Sequence, residues 1–232
     1  MLRLVDLSLD IYDKAPTFWP DPKTAILPHL AVANMNYNIT QIIMSSHLGT
    51  HADAPFHFFD DGLTIEQVDV RRGFGPAEVL DLRHKAPTSY ITPDDLEAFG
   101  DRIKRGSRLI LWTDWDKQFP APHYFSDQPR LAVETCVWIA EHGVRCVAMD
   151  LPTTNPPEYT PTHHALLNAQ AQVLIVEGLR GLGRLQSERV ILMALPLRLR
   201  GRDGAQCRAM AIDGDVGPLC EVLDALEYDA NY

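Results

Sequence analysis

The sequence predicts a mixed α/β fold in a single domain that spans residues 1–232. The chain is long enough and, with 46% hydrophobic residues, apolar enough to bury one sizeable core. Its first third alternates apolar and polar residues as half-buried strands do, whereas its middle alternates helix-like and strand-like segments. Its 17 prolines and 22% charged residues are typical of a globular protein with many shaped loops rather than of a disordered chain.

The first third is predicted to be rich in strands. Residues 3–11 alternate apolar and polar side chains, and residues 38–44 (NITQIIM) form a second predicted strand that runs into a histidine-rich stretch. A third predicted strand covers residues 77–83. Between the first two strands, residues 18–22 (FWPDP) predict a stiff aromatic loop, because two prolines restrict its backbone.

The middle of the chain is predicted to alternate helices and strands. Thr92 followed by Pro93 provides an N-cap and a favourable first helical residue. Gly106 and Gly143 are expected to end the two helices of this part. The predicted helices cover residues 93–104 and 130–142, and the predicted strands cover residues 108–112 and 144–150.

The last part is predicted to contain a short helix, a strand and a β-hairpin. The helix covers about residues 162–170, and the strand covers residues 174–179 (LIVEGL). The hairpin joins two apolar segments, VILMALPLRL and CRAMAI, and Asp203-Gly204 is predicted to be its turn, since Asp-Gly is a favoured hairpin turn. The whole pattern contains more strand than a regular doubly wound sheet needs.

Charge and composition argue against several classes of function. The formal net charge is −10 and no block of Lys and Arg stands out, so neither nucleic acid nor a membrane is expected as a partner. No apolar stretch approaches the length of a membrane span, and the acid-containing first segment lacks the pattern of a signal peptide. The four cysteines form no CxxC pair, so we expect a cytoplasmic protein with buried thiols.

The stretch HLGTHADAPFHFFDDG, residues 47–62, concentrates side chains that bind metals. In an extended chain His47, His51 and Asp53 share one face, and Gly49 between the histidines leaves room for an ion or a substrate. A helix would also bring the two histidines together, but the glycine and the proline in the stretch disfavour it. Two imidazoles and a carboxylate suit Zn²⁺, Mn²⁺ or Fe²⁺, so the stretch predicts a metal site.

Further ligands are expected from the second half of the chain. Glu177 interrupts the apolar strand LIVEGL, and a buried carboxylate needs a partner or a metal; a strand end that faces water is the alternative. His163 and His164 are adjacent on the predicted helix and point in different directions, so at most one is expected to face the site. His57, beyond the turn at Pro55, is predicted to act as a general acid or base.

Aromatic side chains near these residues are candidates for binding a substrate. Trp19, in its proline-braced loop, is the predicted substrate-binding residue. For Phe18, Phe58 and Phe59, packing in the core is an equal alternative. Asp150, at the end of a predicted strand, is expected either to orient a ligand or to brace a loop.

The segment HLGTHADAPFH resembles the HxGTHxDxPxH motif of the metal-dependent cyclase family, which includes bacterial kynurenine formamidase and isatin hydrolase. The early Trp-Pro loop and the segments CVAMDLPTTNP, HHALLNAQAQVLIVEGL and ALPLRLRGRDGAQCRAMAI resemble family segments in the same order. The resemblance implies a swivelling β/β/α domain, with helices packed around the strands. It also implies one or two Zn²⁺ or Mn²⁺ ions per chain and a homodimer or homotetramer.

Applied to this sequence, the resemblance implies roles for individual residues. His47, His51 and Asp53 are expected to bind a first metal. Asp53 is expected to bridge to a second metal that His163 and Glu177 also bind.

The predicted activity is metal-dependent hydrolysis of a C–N bond other than a peptide bond, in a small aromatic amide. A metal lowers the pKa of bound water towards neutrality, and His57, the catalytic histidine of the resemblance, would move the proton that the leaving nitrogen needs. The first candidate reaction is hydrolysis of N-formylkynurenine to kynurenine and formate, in tryptophan catabolism. Isatin or another cyclic amide or ester is the alternative substrate, and a metal-binding or small-ligand-binding protein without turnover is the alternative outside the enzymes.

Overall fold

The computed structural model of the protein describes residues 1–224. Its strands are, in chain order, β1 (Arg3–Asp6), β2 (Ala25–Leu30), β3 (Ile39–Ile43), β4 (His51–Asp53), β5 (Phe74–Asp81), β6 (Tyr90–Ile91), β7 (Arg108–Trp112), β8 (Arg130–Leu131), β9 (Cys146–Met149), β10 (Leu174–Glu177), β11 (Arg189–Pro196) and β12 (Gly204–Asp213). Its α-helices are α1 (Val32–Met35), α2 (Pro93–Glu97), α3 (Val133–Glu141), α4 (Tyr159–Leu167) and α5 (Gly217–Asp224). The expected single domain over 1–232 includes residues 225–232, which lie outside the described residues.

Seven strands close into a barrel-like sheet. The strand order is β12-β11-β5-β7-β9-β10-β4, and β4 pairs with both β10 and β12, which joins the two ends. Strands β5, β7, β9 and β10 run parallel to one another, whereas β4, β11 and β12 are antiparallel to their neighbours. Strand β1 pairs with the part of β12 that β4 leaves uncovered. The predicted mixed α/β class, with strands and surrounding helices, is confirmed.

Side chains alternate between two apolar cores along the barrel strands. On β7, Ile110 belongs to the cluster that fills the barrel, whereas Leu109 and Leu111 belong to the cluster under the helices. Ala52 of β4 and Val176 of β10 also point into the barrel. The residues on either side of them therefore point outwards, towards the helical layer.

The histidine-rich stretch is not one extended segment, so the predicted continuity of residues 38–53 is wrong. Strand β3 ends at Ile43 and, among residues 1–224, pairs only with β2, in a separate two-stranded sheet. Residues 46–50 form turns and bends, and Gly49 has a φ of +68°. Glycine adopts this left-handed conformation without a steric penalty, so the chain changes direction between His47 and the start of β4.

The predicted hairpin exists, but its predicted turn is wrong. Strands β11 and β12 are antiparallel, and residues 197–203 connect them, with turn conformation at 200–201. Asp203 is the last residue of this connection and Gly204 is the first residue of β12. An Asp-Gly pair favours a two-residue turn, but here a longer loop connects the strands. That loop places Asp203 against another part of the chain.

Three helix boundaries differ from their predictions. Helix α2 has the predicted capping box at Thr92 but ends at Glu97, well before residue 104. Helix α3 begins at Val133, because residues 130–131 pair with β6 as strand β8. Helix α4 begins earlier than predicted, at Tyr159. Pairing with a distant strand and packing against the sheet decide where these helices begin and end. Local sequence preferences show neither the pairing nor the packing.

In the described part of the chain, no helix combines the length and the apolar character needed to cross a membrane. All four cysteines are buried, as predicted.

Candidate metal centre

Two neighbouring strands place three of the candidate ligands on the outer face of the barrel. Strand β4 is antiparallel to β10, with His51 opposite Glu177 and Asp53 opposite Ile175. Because Ala52 points into the barrel, His51 and Asp53 point outwards, on the same face as Glu177. All three are buried there, and Asp53 is only 1% exposed.

A tight turn brings His47 to the same place. The Thr50 hydroxyl donates a hydrogen bond to the carbonyl oxygen of Gly178 at 2.6 Å and accepts one from the Leu9 backbone at 2.8 Å. A Cβ on Gly178 would lie 2.5 Å from the carbonyl oxygen of Gly49, so there is no room for a side chain at residue 178. Gly178 therefore lets the turn before β4 pack directly on the chain that follows Glu177.

Helix α4 supplies one histidine to the cluster, and it is His163. Its Nδ1 donates to the carbonyl oxygen of Tyr159 at 2.6 Å, which leaves Nε2 facing Asp53 Oδ2 at 3.6 Å and Glu177 Oε1 at 3.7 Å. His164 is exposed, and its ring lies beside Phe59, with ring centroids 5.0 Å apart. Of the two adjacent histidines, only His163 faces the predicted ligands.

Asp53 lies at the centre of the cluster. Its Oδ1 is 2.8 Å from His47 Nδ1 and 3.4 Å from His51 Nε2. Ligand atoms of His47, Asp53 and His57 lie within 4.8 Å of one another, and so do those of His51, Asp53 and Glu177. This grouping shares Asp53 between two sets, as the resemblance implies, but it places His51 with Glu177 rather than with His47.

Three buried atoms of the cluster have no hydrogen-bond partner within residues 1–224: His51 Nε2, Asp53 Oδ2 and Glu177 Oε1. The opposite ring nitrogen of His51 donates to the carbonyl oxygen of Gly49 at 2.9 Å, so Nε2 is free to act as a ligand. Leaving such atoms unsatisfied costs about 1–3 kcal/mol each. Imidazole nitrogen and carboxylate oxygen suit Zn²⁺ or Mn²⁺, so the residues present fit a metal ion.

In the metal-free cluster, protonated histidines balance the negative charges of the carboxylates. Burial acts to lower the pKa of His47, but the charge of Asp53 and hydrogen bonds with Asp203 and Asp53 outweigh it and raise that pKa to about 10. The pKa of His163 is raised to about 9, because its interactions with Asp53 and Glu177 outweigh burial. Burial acts to raise the pKa of Asp53, yet the surrounding imidazoles hold it well below its usual range.

His57 has the opposite electrostatic character. Its ring stacks on that of His47, with centroids 3.9 Å apart. Burial is the largest cause that lowers the pKa of His57, to about 4, although the charge of Asp53 acts in the other direction. At neutral pH the ring is therefore uncharged and able to accept a proton.

A cavity of about 170 Å³ opens onto His51, His57, His163 and Glu177. Its other wall is aromatic and includes Phe18, Phe58 and Tyr159. The Phe18 and Tyr159 rings meet edge to face, with centroids 6.3 Å apart, and Phe58 stacks on His163 at 4.6 Å. The space suits a flat aromatic group held next to the polar cluster.

The structure separates the candidate substrate residues. Phe18 and Phe58 line the cavity, whereas Trp19 is 85% exposed and lies outside that lining. Its role in binding a substrate stays a prediction. Phe59 packs beside His164 instead.

Asp150 is buried behind the site, where its carboxylate accepts hydrogen bonds from the backbone nitrogen of Thr113 at 3.0 Å and from the Thr113 hydroxyl at 2.6 Å. It therefore braces the loop that follows β7, which was one of its two predicted roles.

One polar residue of the site was missed by the sequence analysis. Asp203 accepts a hydrogen bond from His47 Nε2, with a distance of 2.7 Å to Oδ2. Asp203-Gly204 has the composition of a hairpin turn, and that local signal concealed its position against His47.

Buried imidazoles and carboxylates beside an aromatic cavity are typical of metal-dependent hydrolases. Residues 5–156 match the family model Cyclase, described as "Putative cyclase", and the chain belongs to that family. Kynurenine formamidase of Erythrobacter litoralis (strain HTCC2594) is 34% identical over 175 residues, which cover 75% of this chain and 76% of that protein. Kynurenine formamidase of Sphingopyxis alaskensis (strain DSM 13593 / LMG 18877 / RB2256) is 28% identical over 212 residues, which cover 90% of this chain and 98% of that protein.

Solved structures share the fold. A potential metal-dependent hydrolase with cyclase activity superposes with a TM-score of 0.75 at 28% identity, covering 93% of this chain and 100% of that one. Isatin hydrolase A from Labrenzia aggregata, bound to benzyl benzoate, superposes with a TM-score of 0.80 at 22% identity, covering 91% and 94%. The predictions of the cyclase family, of a metal-dependent amide hydrolase and of a metal cofactor are confirmed.

The free energy of unfolding of the metal-free protein is expected to fall as pH rises from about 7 to 10. The folded-state pKa values of His47 and His163, about 10 and about 9, lie above the ordinary value of 6.5. Such groups stabilise the fold fully below their unfolded pKa, and this stabilisation is lost as pH rises through the folded pKa. Bound metal replaces these protons, so the metal-loaded protein should lose less stability over the same range.

Urea unfolding at pH 7, 8 and 9, with and without chelator, measures this difference. Other groups titrate in the same range, and the metal-loaded protein is the control for them. An equal loss of stability in the metal-free and the metal-loaded protein would contradict the view that protonated His47 and His163 stabilise the metal-free fold.

Proposed function

We propose that the protein hydrolyses N-formylkynurenine to kynurenine and formate, using Zn²⁺ or Mn²⁺ bound at the buried cluster. The observation that carries the proposal is a set of buried metal-binding atoms that have no hydrogen-bond partner. These atoms lie around Asp53, beside an aromatic cavity. Relatives named kynurenine formamidase, at 34% and 33% identity over three quarters of this chain, support the choice of substrate.

In the proposed site, five residues bind metal. In the arrangement that the family resemblance implies, His47, His51 and Asp53 would bind one ion, and Asp53, His163 and Glu177 a second. When bound, such a metal lowers the pKa of water and polarises a carbonyl oxygen. Backbone pairing between β4 and β10 fixes three of the ligands on the outer face of the barrel, where they are buried.

The remaining chemistry falls to the side chains around the cavity. Phe18, Phe58 and Tyr159 would hold the aryl ring, so that the formamide carbonyl carbon lies next to the cluster. Water adds to that carbon, and the C–N bond then breaks. His57, neutral at neutral pH, would accept the proton of the attacking water and deliver it to the departing aniline nitrogen. One water is consumed for each formate and kynurenine released.

A cyclic amide or ester such as isatin is the second candidate, and one observation favours it. Of the residues that line the cavity in the described structure, none is Lys or Arg. N-formylkynurenine carries a carboxylate that would find neither Lys nor Arg there, whereas a neutral cyclic amide needs neither.

Formate release from N-formylkynurenine by metal-replete protein tests the proposal. We expect turnover with Zn²⁺ or Mn²⁺ that is lost on chelation, while the protein stays folded, because β4 and β10 are held by the barrel and not by the ion. Turnover of isatin but not of N-formylkynurenine would make isatin the substrate and leave the proposed metal site unchanged. No turnover of either by metal-loaded protein would contradict both proposed substrates.

Replacing His57 is expected to separate catalysis from metal binding. In His57→Ala, kcat should fall by about 10²–10⁴-fold, the usual contribution of a general acid or base, while the bound metal measured by elemental analysis is unchanged. His164→Ala is the matched control, because His164 is exposed and lies outside the cavity lining. Wild-type kcat in His57→Ala would remove His57 from the mechanism.

The protein is further proposed to be a cytoplasmic homodimer or homotetramer. The four cysteines are buried and free, as suits a reducing compartment. The two-stranded sheet of β2 and β3 has no buried residue. It exposes large apolar side chains, which include those of Leu27, Ile42 and Ile43, and an exposed apolar patch is typical of an interface.

Light scattering tests the oligomer. The mass is expected to be two or four times the 26.0 kDa of one chain. Ile42→Asp should dissociate it, whereas Leu4→Asp, at an exposed leucine on β1, should not. A monomeric wild type would contradict this part of the proposal.

A further inference from the structure

Asp203 lies outside the family motif and in contact with two of its histidines. Its Oδ2 is 2.7 Å from His47 Nε2 and 3.7 Å from His57 Nδ1. The Ser46 hydroxyl donates to the same carboxylate at 3.1 Å. Since a carboxylate at neutral pH only accepts hydrogen bonds, His47 must donate its Nε2–H to Asp203.

The backbone holds Asp203 at this place independently of its side chain. Its carbonyl oxygen accepts a hydrogen bond from the Ala54 nitrogen at 2.9 Å, and Gly204 pairs with Asp53 across β12 and β4. A Cβ on Gly204 would lie 2.7 Å from the carbonyl oxygen of Ala52 and 2.9 Å from His47 Cε1. Only glycine lets β12 start this close to His47. This close approach also places the preceding residue, Asp203, beside the His47 ring.

The contact fixes which nitrogen of His47 faces the cluster. With Nε2 bonded to Asp203, Nδ1 is the nitrogen that faces Asp53, at 2.8 Å. Histidines that bind metals usually donate their other N–H to such an outer acceptor, and loss of that acceptor weakens metal binding. The His57 ring stacks on His47, and its Nδ1 lies 3.7 Å from the same carboxylate, so the Asp203 side chain adjoins both rings.

We propose that Asp203 is a positioning residue, whose carboxylate orients His47 for metal binding and His57 for proton transfer. The inference rests on the proposed function only in naming these two histidines as ligand and catalytic residue. A merely structural role for Asp203 would be to brace the loop 197–203, and its backbone bond to Ala54 already does that.

The test compares Asp203→Ala, Asp203→Asn and Asp69→Ala. Asp69 is the matched control because its side chain is 35% exposed, against 34% for Asp203, and bonds to Arg71 away from the cavity. Calorimetry on chelated protein measures the affinity for Zn²⁺ and for Mn²⁺ without any substrate. Kinetics at saturating metal then give kcat and KM, and thermal unfolding reports on the fold.

Asp203→Ala is expected to lose about 10–100-fold in metal affinity and to lose kcat at saturating metal, with little change in KM. Asp203→Asn should recover part of both, because its amide oxygen can still accept the His47 Nε2–H. Asp69→Ala should keep wild-type affinity and kcat. A merely structural role for Asp203 would lower the melting temperature of Asp203→Ala without this pattern of metal affinity and kcat.

Wild-type metal affinity and wild-type kcat in folded Asp203→Ala would overturn the inference. If Asp203→Ala does not fold, the same decision rests on Asp203→Asn, which would overturn it by matching Asp69→Ala in affinity and kcat. Because calorimetry needs no substrate, a wild-type protein that releases no formate would defeat the proposed function and leave the affinity result standing.

Discussion

The buried carboxylate of Asp53 is the constraint on which the site and much of the local fold depend. It is only 1% exposed, and imidazoles of His47, His51 and His163 lie around it within 2.8 to 3.6 Å. An isolated charge in such a place would be strongly destabilising, so the chain must supply positive charge there, as protons or as metal. His47, His51 and His163 are the partners that can carry this positive charge.

Strand pairing and small residues assemble the other residues of the site around Asp53. Strand β4 is only three residues long, yet it closes the barrel by pairing with β10 on one side and β12 on the other. Pairing with β10 brings Glu177, and pairing with β12 brings Asp203. Gly178 and Gly204 let backbones approach where a Cβ would lie 2.5 Å and 2.7 Å from a carbonyl oxygen. The closed sheet therefore both forms the core and sets the chemistry on its outer face.

The sequence predicted the residues of the site better than their geometry. A repeat of two residues correctly places His51 and Asp53 on one face, because both lie in β4. It places His47 there for the wrong reason, since a turn at Gly49 and not a strand brings that ring in. The roles of Phe18 and Asp203 depend on contacts between segments far apart in the chain. Local pattern does not encode such contacts, and for Asp203 the Asp-Gly pair favoured a different structure.

Anomalous diffraction from crystals of metal-loaded protein, measured at the absorption edge of zinc or manganese, tests the central claim most directly. The account predicts one or two peaks against the Asp53 carboxylate, within the set formed by His47, His51, His163 and Glu177. A peak elsewhere on the molecule, with the buried atoms of Asp53 and Glu177 still unsatisfied, would contradict it.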